Sequence, residues 1–388
     1  MRRGLPSVTA LLVAAHVALC LCNTAIAQIA VSANDNKIVN SEGRSVVVEN
    51  APPDTITVID LGLSPPRVIA EIQAPASVVG PPTSVAVAPD ESYALVTSAY
   101  KIDPADPKKV VHDDRLTVID LKSSPPAVRA TLQAGMGASG VSINRAGTLA
   151  LVANRAEGTV SVFTIADRTL TPAGKVQLGD AKSGPSHVAL TPDGRTALVT
   201  RDGDHRISVL SVDGAKVEDT KRYMVAGIRP FSIAVSPRGD LAVVTNQGGG
   251  QGDTDVISVI DLKQSPPRIV DNINAGQAPE AASFSRDGSY VAVTVQNGSA
   301  RAKNQQGYNS HGLLKVFRVE RGRLRFIAET KIGAWPQGVV WSSDGRTLLA
   351  QSMVNRTLDV LQFDGRRLKH VGQIKVGGGP AAIATAAQ

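Results

Sequence analysis

The residues best suited to chemistry in this sequence are a few unlike polar groups set at the edges of short apolar runs. They are His187, Arg201, Arg229, Asn246, Glu280 and Gln296, with Asp202, Asp204 and His205 added by the run "RDGDHR" (201–206). A guanidinium can grip a carboxylate or phosphate through paired N–H donors. An imidazole or carboxylate can take a proton from water. Base, acid, guanidinium and amides brought to one place would therefore hold a small anionic ligand. For hydrolysis the catalytic candidates are His187, Arg201 and Glu280. The wider ligand set is His187, Arg201, Asp202, His205, Arg229, Asn246, Glu280 and Gln296, with Trp335 as a wall. The competing reading is a hydrated channel mouth whose charges simply pair. No H-E-x-x-H, G-x-S-x-G or Walker pattern occurs, and "GGGQGD" (248–253) lacks calcium-repeat spacing. No cofactor and no metal are expected.

The elements that would position these residues are repeated. The phrases "TVIDLGLSPPRVIAEIQA", "TVIDLKSSPPAVRATLQA" and "SVIDLKQSPPRIVDNINA" begin at 57, 117 and 258, and four weaker relatives accompany them. Aligned on one valine they fall at Val58, Val118, Val162, Val209, Val259, Val316 and Val360. Each is an alternating apolar run, a turn and a second run. A strand–turn–strand phrase such as "SHVALTPDGRTALVTR" (186–201) or "FSIAVSPRGDLAVVTN" (231–246) precedes each hairpin from the second onward. Four antiparallel strands, a to d, recurring seven times with a period of about 50 residues, describe an all-β seven-bladed propeller. A seventh strand a, "PAAIATA" (380–386), ends the chain, while strands b, c and d of that blade lie at 29–33, 55–61 and 67–72. The two chain ends thus close the ring in one shared blade, here blade 1.

"ALVTS", "LVAN", "ALVTR" and "VVTN", flanked by "SPDG"-like turns and "VIDL" strands, resemble the YVTN-type β-propeller repeats. The resemblance implies the fold. It is also compatible with lactonase-like enzymes, redox-enzyme subunits and binding proteins, so the function must be argued from a site.

Strand order separates the two faces of the ring. The a–b turns and the "SPP" c–d turns share one face; the b–c and d–a connections share the other. Proline lacks the N–H a strand needs, so "SPP" reads as a strand stop. Extra length gathers in b–c loops at 34–54, 99–114, 247–255 and 296–312, on blades 1, 2, 5 and 6. Long loops on one side of a rigid scaffold are where function concentrates. The polar ring, expected around blades 3 to 6, lies on that same face. So do His112 and His311, whereas His370 belongs to an outer strand.

Residues 1–27 read as a signal peptide: Arg2 and Arg3, the apolar stretch 10–22, then Ala25-Ile26-Ala27. Leu19 and Leu21 precede the two cysteines, which argues against a lipoprotein site. Cleavage after Ala27 leaves one propeller domain, 28–388, with neither cysteine. The leader holds two arginines and no acid, so the net charge of +7 falls to +5. This small excess gives no reason to expect nucleic acid. The protein is expected to be periplasmic or secreted, monomeric and without a membrane anchor. In the absence of a recognised catalytic motif the leading reading is an exported, non-catalytic propeller that binds a small anionic ligand or a periplasmic protein partner at the face of the b–c and d–a loops; the alternatives are a lactonase-like hydrolase and a scaffold subunit of a periplasmic redox enzyme.

Overall fold

Seven four-stranded antiparallel sheets stand around one axis in the computed structural model, with strand a innermost in each. It describes residue 1 and residues 28–386, so the leader expected over 1–27 lies, beyond Met1, outside the described residues. Blade 1 joins Gly379–Thr385 to Ile29–Asp35, Thr55–Asp60 and Arg67–Gln73. Its seam is sealed on both sides. Val31, Ile56 and Ala382 pack with Val85 and Val96 of blade 2, and Ala30, Ile59 and Ile383 pack with Val340, Leu349 and Leu358 of blade 7.

The repeated phrases have local causes. In five a–b turns a glycine (Gly147, Gly194, Gly239, Gly288, Gly345) sits at φ between 66° and 70°, a region where a Cβ is costly. Blade 2 has Glu91 there instead, at φ 54°, and its carboxylate accepts the Ile29 amide at 3.1 Å. The aspartate of each "VID" turns the chain into "SPP": Asp60, Asp120 and Asp261 accept the amide two residues on, each at 2.9 Å. All three Ser–Pro bonds that follow are cis.

The threonine of the "VT" phrase joins neighbouring blades. A bulge at the start of strand a leaves a gap in the a–b ladder. Thr200, Thr245 and Thr294 fill it, each Oγ1 accepting an amide of its own blade at 3.1 Å (His187, Ser232, Ala281). Each also donates to strand a of the next blade: Thr200 to Phe231 O at 2.7 Å, Thr245 to Glu280 O at 3.1 Å and Thr294 to Gln337 O at 2.5 Å.

Two of the long connections, expected as loops, contain hairpins. Ile38–Ser41 pairs with Arg44–Val47, and Tyr100–Asp103 with Asp106–His112. The first reaches past blade 7, where Asn40 Nδ2 donates to Ala300 O at 2.8 Å in the blade 6 loop. Arg301 of that loop donates to Gly250 O of the blade 5 loop at 2.9 Å, and Lys108 meets Glu49 at 3.3 Å. Ile38, Val78, Met353 and Ala381, with Val110 and Trp335 against them, form an apolar cluster beneath the hairpins. A buried knot of Asp35, Lys37 and Asp54 holds the first hairpin's base, with Lys37 Nζ 2.7 Å from Asp54 and 3.3 Å from Asp35. Contacts thus link the insertions of blades 2, 1, 6 and 5 along their face.

Candidate active site

Strand a of blade 4 (Pro185–Leu190) carries His187, and strand b (Thr196–Arg201) ends on Arg201. Arg229 and Asn246 belong to blade 5, and Glu280 and Gln296 to blade 6. The ring therefore occupies blades 4 to 6, and blade 3 contributes none of these residues.

Several of these side chains are committed to holding turns. Asn246 Nδ2 donates to Val256 O at 3.0 Å and Ser258 Oγ at 2.9 Å, much as Asn154 ties Thr159 and Ser161 in blade 3. Arg201 stands at the same strand position. Its guanidinium bonds Ser208 Oγ at 3.2 Å and forms an ion pair with Asp204. Asp202 accepts Arg155 of the preceding blade at 2.8 Å, and the same guanidinium also reaches Ser186 Oγ at 2.7 Å. His205, at φ 62°, accepts the Arg229 amide on Nδ1 at 3.2 Å, which tethers one b–c turn to the next d–a connection. Trp335 is half-buried beneath the hairpins, with its own amide held by Ser299 Oγ at 2.9 Å.

His187 faces a central cavity of about 300 Å³ that is lined by strand a of every blade. None of the other predicted residues lines it. The imidazole Nδ1 accepts the Ile233 amide at 3.1 Å, so the ring's proton sits on Nε2. Burial pushes the His187 pKa down to about 3, and the ring stays neutral. It packs against Gly140, where a Cβ would come within 2.6 Å of the His187 Cα. A donor fixed in this tautomer can hold a ligand oxygen.

Glu280 differs from the rest. It sits at the start of strand a of blade 6, only 2% exposed, with its backbone carbonyl held by Thr245. One carboxylate oxygen, Oε2, accepts Gln247 Nε2 at 2.7 Å and Gln296 Nε2 at 2.6 Å. Burial raises its pKa to about 7, although both amides and the nearby Arg229 charge oppose the shift. A carboxyl balanced between its two protonation states near neutrality is suited to moving a proton. Arg229 and Gln296 are half-buried and form the more exposed side of this cluster. Sequence reasoning missed Gln247; its only signal was a polar residue opening the glycine-rich "QGGGQG". Among the described residues, no group of three or more His, Cys, Asp or Glu side chains gathers as a metal would require.

Residues 112–228 match the family described as lactonase, seven-bladed β-propeller. Solved propellers share the fold at low identity. A proposed 6-phosphogluconolactonase from Bacteroides fragilis is 15% identical, with a TM-score of 0.70, 93% of this chain covered and 99% of that one. A periplasmic gluconolactonase from Pseudomonas aeruginosa is 18% identical, with a TM-score of 0.67 and coverage of 92% and 99%. A Desulfotomaculum acetoxidans protein of unknown function is 17% identical, with the same TM-score and coverage. No curated protein matches the chain in sequence.

Proposed function

We propose that this propeller is a lactonase-like hydrolase that opens a sugar-acid lactone, with Glu280 as the general base. The observation that carries the reading is the buried Glu280 carboxyl, anchored through Oε2 by Gln247 and Gln296 and raised to a pKa of about 7. Its Oε1 is the oxygen that takes the proton of an attacking water. As that water's oxygen bonds the lactone carbonyl carbon, the carbonyl electron pair moves onto its oxygen, where the Arg229 charge stabilises it. Collapse of this intermediate breaks the ring C–O bond. Protonated Glu280 then returns its proton to the leaving ring oxygen, and the product is an open hydroxy acid. The lactonase family match over 112–228 and the lactonase-named neighbours support the reading.

The test is pH-stat titration of the purified protein with gluconolactone and 6-phosphogluconolactone. Glu280→Gln should lower kcat by about 10²–10⁴-fold, the range for loss of a general base, and remove an ascending pH limb centred near 7. Wild-type protein that opens no lactone above the spontaneous rate would sink the proposal.

A second reading is a non-catalytic binder of a small anion. It is favoured by the pairing of Arg201 with Asp204 and of Asp202 with Arg155, which leaves His187 no charged neighbour from that set. Calorimetric binding of the open acid without turnover would select it. Export belongs to the proposal as well, and mass spectrometry of secreted protein should find Gln28 at the N-terminus.

A further inference from the structure

The central cavity extends to the face opposite the insertions. Its lining runs from His187, Ser232 and Ala281 near the start of strand a to the a–b turn residues Arg145, Pro192, Pro237 and Arg286. Donors with unused capacity ring it. Thr83 Oγ1 is buried with no partner. Ser142 Oγ only accepts, from the Leu190 amide at 3.5 Å, so its proton is available. His187 has Nδ1 occupied by Ile233 and keeps Nε2–H. Ser232 and Ser283 add hydroxyls from the next two blades. Five successive blades, 2 to 6, thus each present a small polar group to one space of about 300 Å³. That size is at the lower end of pockets that take small molecules.

The mouth is cationic. Arg145 and Arg286 stand on blades 3 and 6, and both are exposed. Among the described residues, Arg145 and Arg286 form no ion pair with the aspartates of neighbouring turns, whose carboxylates are oriented toward local donors. Asp193 accepts Thr191 Oγ1 and the Arg195 amide; Asp287 accepts Ser285 Oγ and the Ser289 amide; Asp344 accepts Ser342 Oγ and the Arg346 amide. Local hydrogen bonds hold the Asp193 and Asp287 carboxyls below their ordinary range and keep them as fixed turn anions.

We propose that this cavity is a second binding site, for an open-chain polyhydroxylated carboxylate, with its hydroxyls among the channel donors and its carboxylate at Arg145 and Arg286. Ligand oxygens would accept from Ser142 Oγ and His187 Nε2, whose protons are otherwise unused. An apolar acid would leave them unpaired, and a bare anion would occupy the mouth alone. The site does not depend on Glu280, whose carboxyl faces Gln247 and Gln296 instead of this space.

The test is isothermal titration of the purified protein with gluconate, sorbitol and inorganic phosphate. Gluconate should bind with submillimolar Kd, and sorbitol and phosphate each at least tenfold more weakly. The Arg145→Ala/Arg286→Ala double variant should weaken gluconate at least tenfold. Ser283→Leu, which fills the channel, should abolish binding, and thermal melting would confirm that the variant is folded. Glu280→Gln should leave gluconate affinity within twofold, even where it removes lactone hydrolysis. Three outcomes would overturn the proposal: no gluconate binding, phosphate binding as tightly as gluconate, or gluconate binding lost in Glu280→Gln while Ser283→Leu retains it. The last would place the only acid site at the hydrolytic centre.

Discussion

Replacing Glu280 by Gln isolates the thermodynamic consequence of burying one carboxyl. In the folded protein its pKa is about 7 against an ordinary value of 4.5, so the native state binds more protons than the unfolded chain between those limits. Stability from this group is fully present below pH 4.5 and is lost as pH rises through 7. Linkage across the interval from pH 5 to pH 8 amounts to about 2–3 kcal/mol, since each pH unit at a full one-proton difference contributes about 1.36 kcal/mol. A glutamine fits the site, since its carbonyl oxygen can accept Gln247 and Gln296 where Oε2 does now. Urea denaturation of both proteins at pH 5, 6, 7 and 8 is the assay. The stability of Glu280→Gln minus that of wild type should grow by about 2–3 kcal/mol across the series, most of it before pH 7. Parallel curves would mean that the carboxyl titrates at its ordinary value, and the argument for a neutral-range base at this position would fail with it.

His187 has the opposite sign. Its folded pKa of about 3 lies below the ordinary 6.5, so its contribution is present above 6.5 and drains away toward 3; His187→Asn, which retains an acceptor for Ile233, should flatten the acid limb by about 1–2 kcal/mol between pH 6.5 and 5 in urea titrations. Gly140→Ala forces a Cβ to within 2.6 Å of His187 Cα and 2.7 Å of Cδ2. An overpacking loss of about 1–3 kcal/mol should appear as a lowered urea midpoint, and an unchanged midpoint would contradict the close approach. Deleting 379–388 removes strand a of blade 1 together with Ile383, whose burial alone contributes about 1.5–3 kcal/mol. Calorimetry should show a melting point lower by several degrees, and a shift of a degree or less would refute the shared blade.

Much of the architecture could be read from local pattern. Period-2 runs, glycines at a fixed place in the turns and aspartates before "SPP" act over a few residues, so the blade strands, the number of blades and the closing of the ring were legible, while the hairpins within two b–c insertions were not. The chemical roles were not. Arg201 and Asn246 end equivalent strands, and each is used to hold its own b–c turn; that depends on which partners lie across the turn, Ser208 and Asp204 in one case and Val256 and Ser258 in the other. The bulge at the start of strand a shifts the alternation by which side-chain direction is read, between Pro185 and His187 and between Pro279 and Ala281. Alternation alone therefore could not say that His187 enters the channel while Glu280 reaches Gln247, 33 residues earlier. Both pKa values follow from burial against neighbouring blades, and the blade 1 hairpin finds its partner past blade 7, in the blade 6 loop. The repeated unit is written in the chain because its causes are local. Which polar groups are paired and which remain available emerges only in the assembled ring, where Asp202 meets Arg155, His187 the Ile233 amide and Glu280 the Gln247 amide of other blades.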